Sequence, residues 1–169
     1  YEISNDLIVP AGIILNIAEG TVFNVEDNVS IVSFSPINFN GTPQRPITVT
    51  RKRDKGQFGV IAMILDKPEN IEINHLNVTG GSAAYVNGVF YNGALSIHNG
   101  TVRMNSCTIR ECKADDGINF KNSTVQINNC MFIDNKSDHV DLDFCKALVD
   151  SNKFINLDSQ NTGDAIDLS

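Results

Sequence analysis

The sequence predicts an all-β solenoid, a stack of coils in which each coil lays short strands on its neighbour. Two observations predict it. Leu95 and Ile97 recur 23 residues later as Ile118 and Phe120, 22 later as Val140 and Leu142, and 26 later as Ile166 and Leu168. A second set keeps the same step: Val102, Met104, Cys107 and Ile109 return as Val125, Ile127, Cys130 and Phe132, then as Ala147, Val149, Asn152 and Phe154. Apolar residues in i, i+2 pairs mark strand faces, and repetition in the low twenties is the signature of stacked coils.

Taken in order, the first fifty residues alternate strand and turn. Strands are expected at 7–9, 13–17 and 21–25, broken by Pro10-Ala11-Gly12 and Glu19-Gly20, then at 29–34, 37–39 and 47–50. Residues 51–55, RKRDK, form the one basic cluster and follow a strand directly. They read as a solvated loop or, more sharply, as a site for an acidic glycan. Ile71, Ile73, Leu76 and Val78 carry the repeat backwards from Val102, Met104, Cys107 and Ile109 by 31 residues. The extra length falls in a loop at 79–93, where Tyr85, Phe90 and Tyr91 either wall a groove or cover the core edge. Asn74, Asn105, Asn128 and Asp150 stand in register at the next bend. They are expected to take the left-handed conformation there and to stack from coil to coil. Asn152 departs from the pattern, because Leu76, Cys107 and Cys130 point inward at its position; its amide must be satisfied inside or the register must slip.

The order LIVPAGIILNIAEGTVFNV, NGTPQRPITVT, the Phe58-Gly59 step and IEINHLNVTGG resembles the opening coils of the right-handed parallel β-helix repeat (pectin-lyase-like) family. With the later repeat, the likeness covers nearly the whole chain. It implies a right-handed parallel β-helix with three short parallel sheets and about six or seven coils. One domain is expected over 1–169, with N-terminal coils at 1–58 and regular coils at 59–169. The family holds lyases, hydrolases, epimerases, adhesins and inert stalks, so the likeness implies architecture more than activity.

The chain has 169 residues, 41% of them hydrophobic, which suits one long narrow core. A formal charge of -7 disfavours nucleic acid and anionic lipid as partners and favours cations or neutral glycans. No apolar run is long enough to span a bilayer, and the first residues lack the basic and apolar regions of a signal peptide. The last coil breaks off at Ser169, so a fragment of a longer chain is expected, with an open end that stacks on a neighbouring domain or subunit. Cys107, Cys112, Cys130 and Cys145 have no metal-ligand spacing. Cys107 and Cys130 occupy equivalent positions, which permits a disulfide but reads first as two reduced core thiols. Six Asn-x-Ser/Thr sequons, at Asn28, Asn40, Asn77, Asn99, Asn122 and Asn135, read as turn composition rather than as glycosylation sites.

The repeat also sets which side chains face outward. If Leu95, Ile118, Val140 and Ile166 point in, then Ser96, Asn119, Asp141 and Asp167 point out, with His98, Lys121, Asp143 and Ser169 as the next outward column. An acidic turn precedes each first strand and adds Asp116, Asp138 and Asp164 along one edge. Like charges one strand apart must protonate, meet Lys121 or bind a cation. Calcium, which takes flexible oxygen ligands, is the cofactor expected on Asp116, Asp138, Asp141, Asp164 and Asp167. A solvated acidic edge of turn residues is the plainer reading. Ligand contact is expected from Asp138, His139, Asp141, Asp143, Lys121 and His98.

Catalysis is the weaker expectation. Asp141 and Asp143 would hold their carboxyls roughly 6–7 Å apart, near the lower limit for an inverting glycosidase pair. Lyase chemistry would want a base such as Lys121, His98 or His139. The Gly-His-Gly and Arg-x-Lys patterns of the family's hydrolases are missing, and Arg103 and Arg110 should face away from the acidic edge. The expectation is therefore a non-catalytic secreted or cell-surface module that binds a polysaccharide or surface glycan or acts as a spacer. A polysaccharide lyase or epimerase-like domain and a self-associating rod are the alternatives.

Overall fold

The computed structural model describes residues 1–157 and 163–168, and among them it is all-β, with twenty strands and no helix. Ser169, expected in the second outward column, lies outside the described residues. Three ladders of parallel strands carry the chain. The first joins Leu7–Val9, Ile31–Ser33, Ile61–Asn74, Gly93–Asn105, Asp116–Lys121, Asp138–Asp143 and Ile166–Asp167. A second joins Leu15–Ala18, Ile37–Asn40, the far halves of Ile61–Asn74 and Gly93–Asn105, then Thr124–Asn128 and Lys146–Asp150. The third is a seven-stranded sheet from Glu2–Ile3 to Lys153–Ile155.

The pairing reproduces the sequence repeat. Leu95 lies beside Ile118, Ile118 beside Val140, and Val140 beside Ile166. The expected three separate sheets are two, because Ile61–Asn74 and Gly93–Asn105 run unbroken through the first bend. They fuse the first two ladders into one eleven-stranded sheet, with a register shift between His98 and Gly100. Aliphatic residues, Phe and Cys form one continuous interior from Val25 to Leu142. All four cysteines are free, so Cys107 and Cys130 are two buried thiols.

The bends turn one residue later than expected. Asn74, Asn105, Asn128 and Asp150 still pair as strand residues, and the left-handed positions are His75, Ser106, Asn129 and Ser151, with φ from 48° to 56°. Such a turn aims the next backbone N–H inward, where it must find a partner. The following repeat supplies it. Leu76 donates to Cys107 Sγ and Cys107 to Cys130 Sγ, both at 3.4 Å, and Cys130 donates to Asn152 Oδ1 at 2.7 Å. Asn152 returns a hydrogen bond from Nδ2 to the Ile127 carbonyl at 2.8 Å. Its departure from the apolar pattern is thus an internal cap, with no slip of register.

The loop expected at 79–93 is an ordered antiparallel hairpin, Ala84–Val86 against Val89–Tyr91. Asn87 and Gly88 both have positive φ, which is the turn an Asn-Gly pair favours between two strands. Val86 and Tyr91 pack on Val32, Val60 and Ala62, so the hairpin roofs the N-terminal part of the first ladder's outer face.

Candidate functional site

The outward columns of the first ladder fall in the expected register. Ser96 pairs with Asn119, Asn119 with Asp141 and Asp141 with Asp167, while His98 pairs with Lys121 and Lys121 with Asp143. Asp116 pairs with Asp138. Asp164 follows at the same corner, its backbone N–H donating to Asp138 Oδ1 at 2.6 Å. The acidic edge therefore exists as one feature.

It is drier than a solvated edge. Asp116 is 3% exposed, Asn119 1% and Asp141 6%, whereas Asp143 and Lys121 are half-buried and Asp164 is exposed. Asn119 holds the centre, donating from Nδ2 to Asp141 Oδ2 at 2.7 Å and to Asp143 Oδ2 at 3.3 Å. Lys121 Nζ reaches Asp143 Oδ2 at 3.4 Å. Two enclosed oxygens, Asp116 Oδ2 and Asp141 Oδ1, have no hydrogen-bond partner. Burial raises the Asp116 carboxyl to about 8, with Asp141 and then Asp115, Asp138 and Asp143 adding repulsion. Asp141 is also raised by burial, and the Asn119 hydrogen bond offsets part of that. At neutral pH Asp116 holds its proton and the edge carries one negative charge fewer than its composition suggests.

His139 is not on this edge. It is 1% exposed and lies inside, with its ring 5.8 Å from that of Phe154 and 6.3 Å from that of Phe132, and Nδ1 3.0 Å from Asn135 Nδ2. The expected alternation fails because two successive residues, His139 and Val140, both turn inward where the strand begins. Ala94 and Gly117 share that corner column, and a Cβ on Gly117 would lie 2.7 Å from both Asn135 Nδ2 and the His139 carbonyl. Burial lowers the His139 pKa, which suits a neutral core imidazole. His98, in contrast, keeps to the outer face. Its ring lies 5.9 Å from Tyr91, and burial followed by Lys121 lowers its pKa.

For calcium, the residues offer two unsatisfied oxygens of the right hardness, on Asp116 and Asp141. Asp138 gives one oxygen to the Asp164 backbone. Among the described residues, no three His, Cys, Asp or Glu side chains converge as metal ligands.

Beside the edge, the hairpin closes a groove of ≈ 300 Å³ lined by Val32, Phe34, Ile64, Val86, Asn87, Val89, Tyr91 and His98. Tyr85 and Phe90 pair on the hairpin's outer side, centroids 4.8 Å apart, both exposed. The basic cluster is largely spent within the molecule: Arg51 pairs with Glu111, Lys52 with Glu2 and Glu26, and Arg53 with Asp27. Arg103 and Arg110 pair with Glu72 and Glu111, on the second and third ladders.

One residue at the edge escaped the sequence reading. Phe144, directly after Asp143, is 73% exposed in a left-handed bend with φ 51°. Its signal was its place in a column whose other members are Asn99 and Asn122. Compared with protein-family models, with curated proteins and with solved structures, the chain has no significant match in any of the three.

Proposed function

We propose that the chain is a right-handed parallel β-helix of the pectin-lyase-like kind, acting as a non-catalytic module, secreted or displayed on a cell surface, that binds a glycan. The parallel register at steps of 22 to 26 residues supports the architecture. The observation that carries the binding reading is the half-exposed column His98–Lys121–Asp143, which begins against the Tyr91 ring and borders the hairpin groove. An apolar wall beside a few fixed polar groups is how most small-ligand sites are made. A non-catalytic role fits because Asp116 and Asp141 are enclosed, while Asp143 and Lys121 are engaged with each other.

A calcium ion near Asp116 and Asp141 is a second element of the proposal, favoured by their two orphan oxygens. End-to-end stacking is a third, favoured by half-buried Leu15, Ile17 and Phe23 at one end and Val149, Phe154 and Ile166 at the other. The test is affinity electrophoresis against neutral and acidic polysaccharides, with and without calcium, alongside an assay for unsaturated uronate products. Retardation by a neutral glycan, weakened by His98→Ala, is expected. Product release would replace this reading with the lyase alternative.

A further inference from the structure

Phe144 sits where the backbone penalises it. The bends that end the first strands adopt the left-handed conformation at Asn99, Asn122 and Phe144, with φ of 61°, 48° and 51°. Asparagine tolerates that region because its short side chain bonds locally, and a phenylalanine does not. Burial does not compensate, since the side chain is 73% exposed. An aromatic ring held strained and in water is an outlier of the kind that accompanies binding surfaces.

Its neighbours are those of the edge. Asp143 precedes it and receives Lys121 Nζ and Asn119 Nδ2 on one oxygen, at 3.4 and 3.3 Å. In the same column His98 lies two strands away, roughly 10 Å by strand spacing, with Tyr91 against it. The polar column thus begins against one aromatic ring, Tyr91, and its last residue, Asp143, is followed in the chain by a second aromatic residue, Phe144.

We propose that Phe144 is a stacking platform for a neutral pyranose ring, whose hydroxyls are taken by Lys121 and Asp143. This rests on the glycan-binding reading. A ring with one face of C–H bonds matches an exposed aromatic face, and its hydroxyls can both donate to the carboxylate and accept from the ammonium. The net charge of -7 turns away polyuronates.

The experiment compares wild type with Phe144→Asn, Phe144→Leu and Phe144→Tyr. Each is measured by calorimetric titration with soluble neutral β-glucan, β-mannan and galactan, and by thermal melting. Phe144→Asn relieves the bend, so its Tm should rise by about 2–4 °C while affinity falls by about fivefold to tenfold, the worth of one good stacking contact. Phe144→Leu keeps the strain and loses the flat face, so it should lose affinity with Tm nearly unchanged. Phe144→Tyr should bind within about threefold of wild type. Wild-type affinity in the Asn or Leu variant overturns the platform and leaves the glycan reading standing. A wild type that binds none of the three glycans overturns both.

Discussion

At the inward corners, Ser123, Asn135 and Asn152 each accept a backbone N–H from the preceding repeat and return a hydrogen bond to one of its carbonyls. On the outward edge, Asp116 and Asp141 are buried, as Ser123 and Asn135 are, yet one oxygen of each has no partner. Both regions hold buried polar side chains and treat them differently. Where capping is complete, the polar group is part of the scaffold. Where it is not, the group holds an unspent preference for a proton or a cation. That difference, more than the count of aspartates, sets the outer edge apart from the capped corners.

The contrast can be broken most forcefully at Asn135, which is fully buried. Replacing it with Ala strands the Cys112 N–H and the Ile109 carbonyl and should cost about 2–4 kcal/mol, read as a lower midpoint of urea unfolding. A cost under about 1 kcal/mol would mean that water enters the corner and the caps are dispensable.

Asp116→Asn probes the other side and should have the opposite sign. A carboxyl raised to about 8 keeps its proton when folded and loses it when unfolded, so wild-type stability should decline from near pH 4 to about 8. Asparagine cannot ionise, so the variant should lose that slope and be the more stable protein at pH 9, by roughly 1–3 kcal/mol, the worth of an unsatisfied buried charge. Parallel melting curves at pH 5, 7 and 9 decide the matter. A wild type with no decline would show that solvent reaches the edge.

The smallest effect concerns the thiols. If Cys130 were merely a small apolar residue, Cys130→Val would be better tolerated than Cys130→Ser. As a corner cap that accepts from Cys107 and donates to the Asn128 carbonyl, it should prefer Ser by about 1 kcal/mol, within reach of paired thermal melts.

Much of this was legible in the residues. The i, i+2 pairs at Leu95, Ile118 and Val140 fix the stacking register, and the register alone puts Ser96, Asn119 and Asp141 in one column. The sequence could not say which of two adjacent turn-formers, such as Asn128 and Asn129, takes the positive φ, because both suit it. Nor could it locate His139, since strict alternation assumes a regular strand and the strand's first corner turns two residues inward. The Asn87-Gly88 hairpin carried a readable signal, an Asn-Gly pair flanked by strand-forming residues, that the surrounding glycines obscured. Burial of the acidic edge was not readable, because it depends on what packs over the first ladder.

Corner capping also has a direction. At the inward corners from Leu76 to Cys130 the sealing side chain comes from the turn that follows, as Cys107 seals Leu76 and Asn152 seals Cys130, whereas at the acidic corner Asp138 seals Asp164 from the turn before. Like overlapping roof tiles, these inward corners are each made weatherproof by the course laid after them. Loss of a course from the early end uncovers side chains that can turn to solvent, whereas loss from the late end uncovers main-chain amides that cannot. Fraying of these inward corners should therefore be one-sided, advancing from the late end towards the middle.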